Sequence, residues 1–362
     1  VLGVESMTAL VPSWAAGTRV CDRNSFAAAA DGRCPVSDWK DALAPLLALP
    51  PNPGEPLHFV NAGANKGFAI ADFLNRFHAK HGLSVRDWYQ NLTSIKRNTY
   101  LACGFCNDCQ LGPPLSQHHV AVKVHAFELL HGNYVMLARL FERLKVPGMV
   151  HATALSNFTG NVWRPRFART GEENLAAATV GNRWSESTPT TTIDAYATRH
   201  GLTSIAWVSL DAEGWDPLIV EGAAGMLRDR RIAVLEFEWA PVAWDMAMVR
   251  PSGAPLSQRV LHGAAGREVN STLFETAPGV RLAGLVRRLE DAGYTCFFQG
   301  GRRRKARSDL TQQRGSLVNI HSVSGCHWPM RPGRNGNVVC AHAEPIIERL
   351  RGLTLKGSHG TG

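Results

Sequence analysis

Hydrophobic and polar positions along this chain switch repeatedly between the period of a strand and the period of a helix. The run Leu57-His-Phe-Val-Asn-Ala62 reads as a buried strand, and Ile70, Phe73, Leu74 and Phe77 follow with helical i, i+3, i+4, i+7 spacing. Residues 120–127 give a second strand, and Leu137, Leu140, Phe141 and Leu144 repeat the helical spacing. Residues 149–155 predict a third strand, 204–210 a fourth and 231–239 a fifth. Before the fifth, Asp216 is placed as a helix N-cap with Pro217 at the first helical position. The less regular stretch 156–189 predicts a hairpin or lid. Leu282, Leu285, Val286 and Leu289 mark a last amphipathic helix, closed by Gly293 and followed by two strands, 294–299 and 316–321.

This alternation predicts an α/β fold, a parallel sheet with helices on both faces. Ligands of such sheets bind outside the carboxyl ends of the strands, so chemistry is sought there. Residues 1–56, rich in Ala, Pro and Gly, read as an N-terminal arm packed on or trailing from the main domain. The main domain is expected over 57–321, with an insertion at 82–119, and 322–362 as a C-terminal extension whose end is disordered.

Composition narrows the class. With 44% apolar and 19% charged residues, the chain fits a soluble globular protein. No apolar run is long enough for a membrane span. Residues 1–20 lack the order of a signal peptide, but the sequence begins at Val1. The cytoplasm is therefore one expected location, and the secretory lumen the other if a signal has been removed. Two-thirds of the net charge of +9 falls in residues 281–314, a basic patch suited to anionic partners or to a solvated loop.

Eight cysteines are present, three of them as Cys103, Cys106 and Cys109 in C-x2-C-x2-C spacing. Disulfides within that cluster or to Cys21, Cys34, Cys296, Cys326 or Cys340 are one reading. Free thiols are another, and a structural zinc completed by His118 or His119 a third. None of these would be catalytic, and no catalytic metal is expected.

The chemistry-bearing residues gather at predicted strand ends. After the first strand comes Asn61-Ala-Gly63-Ala64-Asn65-Lys-Gly67, a glycine loop opening a helix whose N–H groups suit a carboxylate or other anion. The second strand ends at Glu128-Leu129, where an acidic residue can accept two ribose hydroxyls. The third ends at Ala154-Leu155-Ser156, and the fourth at Asp211-Ala-Glu213-Gly-Trp-Asp216.

These four stations, in order, resemble the motifs of the FkbM family of S-adenosylmethionine-dependent methyltransferases: D-x-G-A-N-x-G, F-E-P, A-L-S and D-x-E-G-x-E. The resemblance spans about residues 57–240, with later strands extending it to about 321. It implies a seven-stranded Rossmann-like sheet of order 3-2-1-4-5-7-6 with the last strand antiparallel. It also implies S-adenosylmethionine as cofactor. The loop 61–67 would hold its methionine part, Glu128 and Leu129 would lie at its ribose, and residues 154–156 near its adenine. Asp211 would point at the sulfonium. Three departures stand out. Asn61 replaces Asp and removes a negative charge beside the cofactor's ammonium, Leu129 replaces Pro, and Asp216 replaces Glu.

Methyl transfer to a hydroxyl calls for positioning and for a group that takes the acceptor's proton. Asp211 and Glu213, two apart past the fourth strand, are the expected pair, and Glu238 is a weaker candidate beside Glu236. The expected activity is an O-methyltransferase acting on a sugar, glycan or secondary-metabolite hydroxyl. An NAD-dependent oxidoreductase would need G-x-G-x-x-G and leaves the fourth-strand motif unused. A degenerate methyltransferase-like domain that binds without catalysis is the other alternative, favoured by Asn61. Nucleic acid is not the expected partner, because no Asn/Asp-Pro-Pro-aromatic segment follows the fourth strand. The sequence sets no oligomeric state.

Overall fold

The computed structural model describes residues 34–35, 38–48, 54–78, 84–95, 120–165, 170, 185–240, 244, 278–299, 301–302, 317–319 and 336–353. Its strands, in chain order, are β1 (Cys34–Pro35), β2 (Leu57–Ala62), β3 (Val122–Phe127), β4 (Gly148–His151), β5 (Ala154–Leu155), β6 (Gly160–Pro165) and β7 (Ser185–Thr191). They continue with β8 (Ile205–Leu210), β9 (Ile232–Trp239), β10 (Thr295–Gln299), β11 (Gly301–Arg302), β12 (Leu317–Asn319) and β13 (Gly336–Ala341). The helices are α1 (Asp38–Leu47), α2 (Phe68–Phe77), α3 (Val85–Ile95), α4 (His131–Leu144), α5 (Ile193–His200), α6 (Asp216–Glu221), α7 (Ala224–Arg228), α8 (Pro278–Asp291) and α9 (Glu344–Arg351).

The main sheet runs β4-β3-β2-β8-β9-β13-β10-β12. β4, β3, β2, β8 and β9 pair in parallel, whereas β13 is antiparallel to both β9 and β10. A parallel strand buries both faces, and β2, β3, β8 and β9 are apolar on both for that reason. One face carries α1, α2, α3, α4 and α9, with Ile70, Phe73, Leu74 and Phe77 all in the core. The other carries α5, α6, α7 and α8, including Leu282, Leu285, Val286 and Leu289. The expected helical stripes are thus the buried faces. Phe59 stacks on Phe73 at 4.3 Å while Trp207 meets both edge-on, and each ring so buried contributes about 1.5–3 kcal/mol.

Two expectations are corrected. The order 3-2-1-4-5-7-6 does not carry over as numbered along the chain. β5, β6 and β7 leave to form a three-stranded sheet, and β12 adds an eighth strand at the edge of the main one. Within that smaller sheet β6 and β7 pair antiparallel, which is the hairpin expected over 156–189.

The boundary at 321/322 also falls. β13 lies between β9 and β10, so the supposed extension supplies an inner strand. Val338, Val339, Cys340 and Ala341 bury both its faces, and Cys340 is disulfide-bonded to Cys296 directly across the β10–β13 ladder.

Of the two placements expected for the N-terminal arm, α1 takes the packed one. Trp39, Leu43 and Leu47 of α1 are buried in the same core as α2 and α9. Lys40 Nζ reaches Glu236 of β9 at 3.2 Å and Asp72 of α2 at 3.6 Å, while lying 5.1 Å from the Trp207 ring centroid. The Cys103–Cys109 cluster with His118 and His119, most of the basic loop 300–315 and the C-terminal end lie outside the described residues.

Candidate functional site

The glycine loop is built by close backbone approach. Gly63 has φ 71°, and a Cβ there would sit 1.8 Å from the carbonyl oxygen of Asp211. That contact, with the bond from Asp211 N–H to Ala62 O at 3.1 Å, seats the loop against the end of β8. On its other side the N–H groups of Gly63 and Ala64 both donate to Phe127 O, each at 3.2 Å. Gly67, φ 76°, must also be glycine, because a Cβ would lie 2.6 Å from the Trp88 ring and 2.9 Å from Leu137. Trp88 of α3 donates from Nε1 to Lys66 O at 2.8 Å, so part of the segment read as an insertion underpins the loop. Asn65, φ 41°, takes the left-handed position that asparagine tolerates.

Glu128 sits at the tip of β3 with 4% of its surface exposed. Its Oε2 accepts Asn65 N–H and its Oε1 accepts Leu130 N–H, each at 2.7 Å. Glu128 therefore braces the loop whatever it binds. Leu129 beside it is half-buried, and Asn133 of α4 donates from Nδ2 to Asn65 Oδ1 at 3.4 Å.

Asn61 is 2% exposed. Its Nδ2 donates to Ser209 O on β8 at 3.2 Å, and its Oδ1 has no hydrogen-bond partner among the described residues. A buried acceptor without a donor is costly, of the order of 1–3 kcal/mol, and is what a ligand N–H could satisfy. At α2, no side chain caps the N-terminus, and the expected supply of loop N–H groups is smaller than read. The N–H groups of Gly63, Ala64, Asn65 and Gly67 all bond within the protein, leaving the first turn of α2 to meet an anion.

At the end of β8, Asp211 is exposed and Glu213 half-buried. Glu213 holds φ 51°, an uncommon strained conformation for a non-glycine residue at a loop tip. Asp216 is wholly buried and is not the N-cap, a position Trp215 occupies. Its carboxylate accepts Glu238 N–H at 3.3 Å and Ala212 N–H at 3.4 Å, holding the 211–215 loop to β9. Burial pushes its pKa up to about 7, against those N–H groups and with help from the charge of Glu213.

On β9 the candidate Glu238 and its neighbour Glu236 have separate surroundings. Glu236 is buried beneath α1, with Oε2 ion-paired to Lys40 and Oε1 accepting Gln299 Nε2 at 3.2 Å. Glu238 is half-buried, and its carbonyl oxygen accepts Trp244 Nε1 at 3.2 Å.

The A-L-S station departs from the others. Ala154 and Leu155 form β5 of the small sheet, after the parallel strand β4 has ended at His151. Leu155 belongs to the core, and Ser156 is fully buried with its N–H donating to Thr191 O at 3.0 Å. Gly222 packs on Ser156 so closely that a Cβ would lie 2.0 Å from its carbonyl oxygen. Leu155 and Ser156 thus pack the small sheet against α6, and only Ala154 is half-buried at this station.

Sequence reading missed Trp88 and Asn133. Asn133 carried a signal, being a polar residue in one helical stripe with Met136, Leu137 and Leu140. Among the described residues no His, Cys, Asp and Glu group could hold a metal ion. The chain matches no family model, no curated protein and no solved structure. Its likeness to the FkbM family rests on the motifs alone.

Proposed function

We propose that the chain is an S-adenosylmethionine-dependent O-methyltransferase of FkbM type, acting on a hydroxyl of a sugar, glycan or secondary metabolite. One observation carries this reading. The loop 61–67, Glu128 and the segment 211–216 stand at the carboxyl ends of three neighbouring parallel strands, β2, β3 and β8, and are bonded to one another. The succession of the sheet's longer strands supports it too. With β5–β7 set aside and edge strand β12 discounted, it matches the neighbours expected of the family, with β13 as the antiparallel strand.

The residues present fit the cofactor. The amino-acid end of S-adenosylmethionine carries an ammonium and a carboxylate. Asn61 Oδ1, buried and without a described partner, suits the first, and the uncapped start of α2 suits the second. Glu128, held at the tip of β3 by its bonds to the loop, would take the ribose hydroxyls. Bound there, the cofactor supplies an electrophilic methyl group. Asp211, exposed at the rim, and Glu213 beside it would orient the acceptor hydroxyl and receive its proton. Asp216 holds their loop from below.

Titration calorimetry of the protein with S-adenosylmethionine, and separately with NAD, tests the reading. Saturable binding of the first and none of the second is expected. Binding of NAD alone, or of neither, would overturn it. Mass spectrometry of a glycan and metabolite panel incubated with protein and cofactor then reads the acceptor as a gain of one methyl group.

A further inference from the structure

On the sheet face opposite α2, four side chains outside the site form one hydrogen-bonded line. His58 of β2 meets His125 of β3, Nδ1 to Nε2, at 3.0 Å. His125 Nδ1 lies 2.7 Å from the hydroxyl of Tyr196 on α5, and that hydroxyl lies 2.8 Å from Nε2 of His151 on β4. His125 and Tyr196 are buried, and His58 and His151 are half-buried. The line crosses three strands and joins them to a helix.

Its protons can be counted. Three links need three hydrogens, and a neutral imidazole or a phenol supplies one each. Two neutral arrangements satisfy every link and use the Tyr196 hydrogen within the line, with donation running from His58 towards His151 or the reverse. An added proton on His125 would also satisfy its two links, but no carboxylate among the described residues favours the charge there. Besides Tyr196, the charged or titratable described neighbours of His125 are His58, Lys123, His151 and His200, and these four disfavour a cation. His151 is faced by Tyr196 and by His200, and His200 disfavours its charge. Glu55 favours a charge only on His58, and its Oε2 also accepts Thr203 Oγ1 at 3.1 Å. Burial is the first cause of the low pKa of His125, about 3, and of His151, about 4.

The line also borders the site. The carbonyl oxygen of His151 accepts Glu128 N–H at 3.0 Å, and the His151 ring stacks on Phe127 at 4.7 Å. We propose that His58, His125, Tyr196 and His151 form an acid-operated latch. It clamps α5 and β4 onto β3 while neutral, and it releases that corner, with the backbone behind Glu128, when its histidines, reached by solvent on local opening, take protons. The step from latch to cofactor rests on the methyltransferase reading; the latch itself does not.

Hydrogen–deuterium exchange of the full chain at pH 7.5 and 5.0 tests it, with rates corrected for slower intrinsic exchange in acid. Each histidine that ionises only in the opened form should raise local opening about 30-fold at pH 5.0, which is 1.5 units below its ordinary value. The rise is expected in 193–200 and 148–151 and not in α2. A uniform rise across the chain, or none, would overturn the latch. His125→Gln should remove one histidine's share of the response. If that variant does not fold, His151→Gln, at a half-buried position, should do the same, and an undiminished response in it overturns the proposal. Calorimetry with S-adenosylmethionine at both pH values separates the two claims. Weaker binding at pH 5.0 supports the link to Glu128, and unchanged binding removes that link. Absence of binding at both pH values counts against the methyltransferase reading, while exchange still decides the latch.

Discussion

The side-chain amide of Asn61 donates to the carbonyl oxygen of Ser209 at 3.2 Å, tying β2 to β8 just before the glycine loop. This bond gives a reason for asparagine where the resembled motif has aspartate. A carboxylate at this buried position would face a carbonyl oxygen and have nothing to donate. Asn61→Asp is therefore expected to destabilise the fold by about 1–3 kcal/mol, more at pH 8 than at pH 5. The sign follows from burial, which raises the new carboxyl's pKa in the folded state, so that stability is lost as pH rises through it. Urea unfolding at the two pH values measures the difference. An unchanged midpoint at both would mean that the Ser209 carbonyl needs no donor.

Gly63 and Gly201 both have positive φ but should respond differently to alanine. At Gly63, φ 71°, a Cβ would strike Asp211 O at 1.8 Å, whereas at Gly201, φ 61°, nothing lies within 4 Å. Gly201→Ala should cost about 1 kcal/mol, the conformational penalty alone. Gly63→Ala should cost on the order of 3 kcal/mol or more, because the junction of the loop with β8 must open. Thermal unfolding of the pair is the check, and equal losses would show that the contact with Asp211 gives way freely.

What the sequence reveals here is period, and what it conceals is cover. The strands β2, β3, β8 and β9 were legible because each is apolar on both faces, and α2, α4 and α8 because their stripes recur at helical spacing. β13 was passed over because its four buried residues form one short run within a segment read as an extension. Alternation put Glu236 and Glu238 on one face, but it carries no sign that α1 covers the first of them with Lys40. The A-L-S station illustrates the same limit. Its letters are present, yet the chain has already left the main sheet at His151, so Leu155 and Ser156 serve packing.

Lys40 is the charged anchor of α1. Removing one partner of a buried pair strands the other, so Lys40→Ala is expected to cost about 3–5 kcal/mol, with Glu236 left without its cation while Asp72 keeps Arg76. The double variant Lys40→Met, Glu236→Gln should recover much of that loss, since it removes the stranded carboxylate and keeps the bulk between Trp39 and Trp207. A double-mutant cycle in chemical denaturation measures the coupling. Additive losses would show that the 3.2 Å pair contributes nothing as a pair.

Asp216 and the latch histidines should pull the pH dependence of stability in opposite directions. The carboxyl of Asp216 has its pKa raised from 3.8 to about 7 in the folded chain, so the folded state binds the proton that the unfolded state releases. Its contribution is fully present below 3.8 and is lost as pH rises to about 7, by up to about 1.4 kcal/mol per pH unit. His125 and His151 have pKa values lowered from 6.5, so their contribution is present above 6.5 and is lost as pH falls towards about 4. Between pH 5 and 6.5 the two effects oppose each other. In Asp216→Asn, stability should therefore climb more steeply with pH across that window, and the decline between 6.5 and 7 should disappear. The absolute midpoint should drop, because one amide oxygen cannot accept from both Ala212 and Glu238. Urea midpoints taken at half-unit steps give the slope, and a variant profile parallel to the wild type would show that Asp216 is ionised throughout.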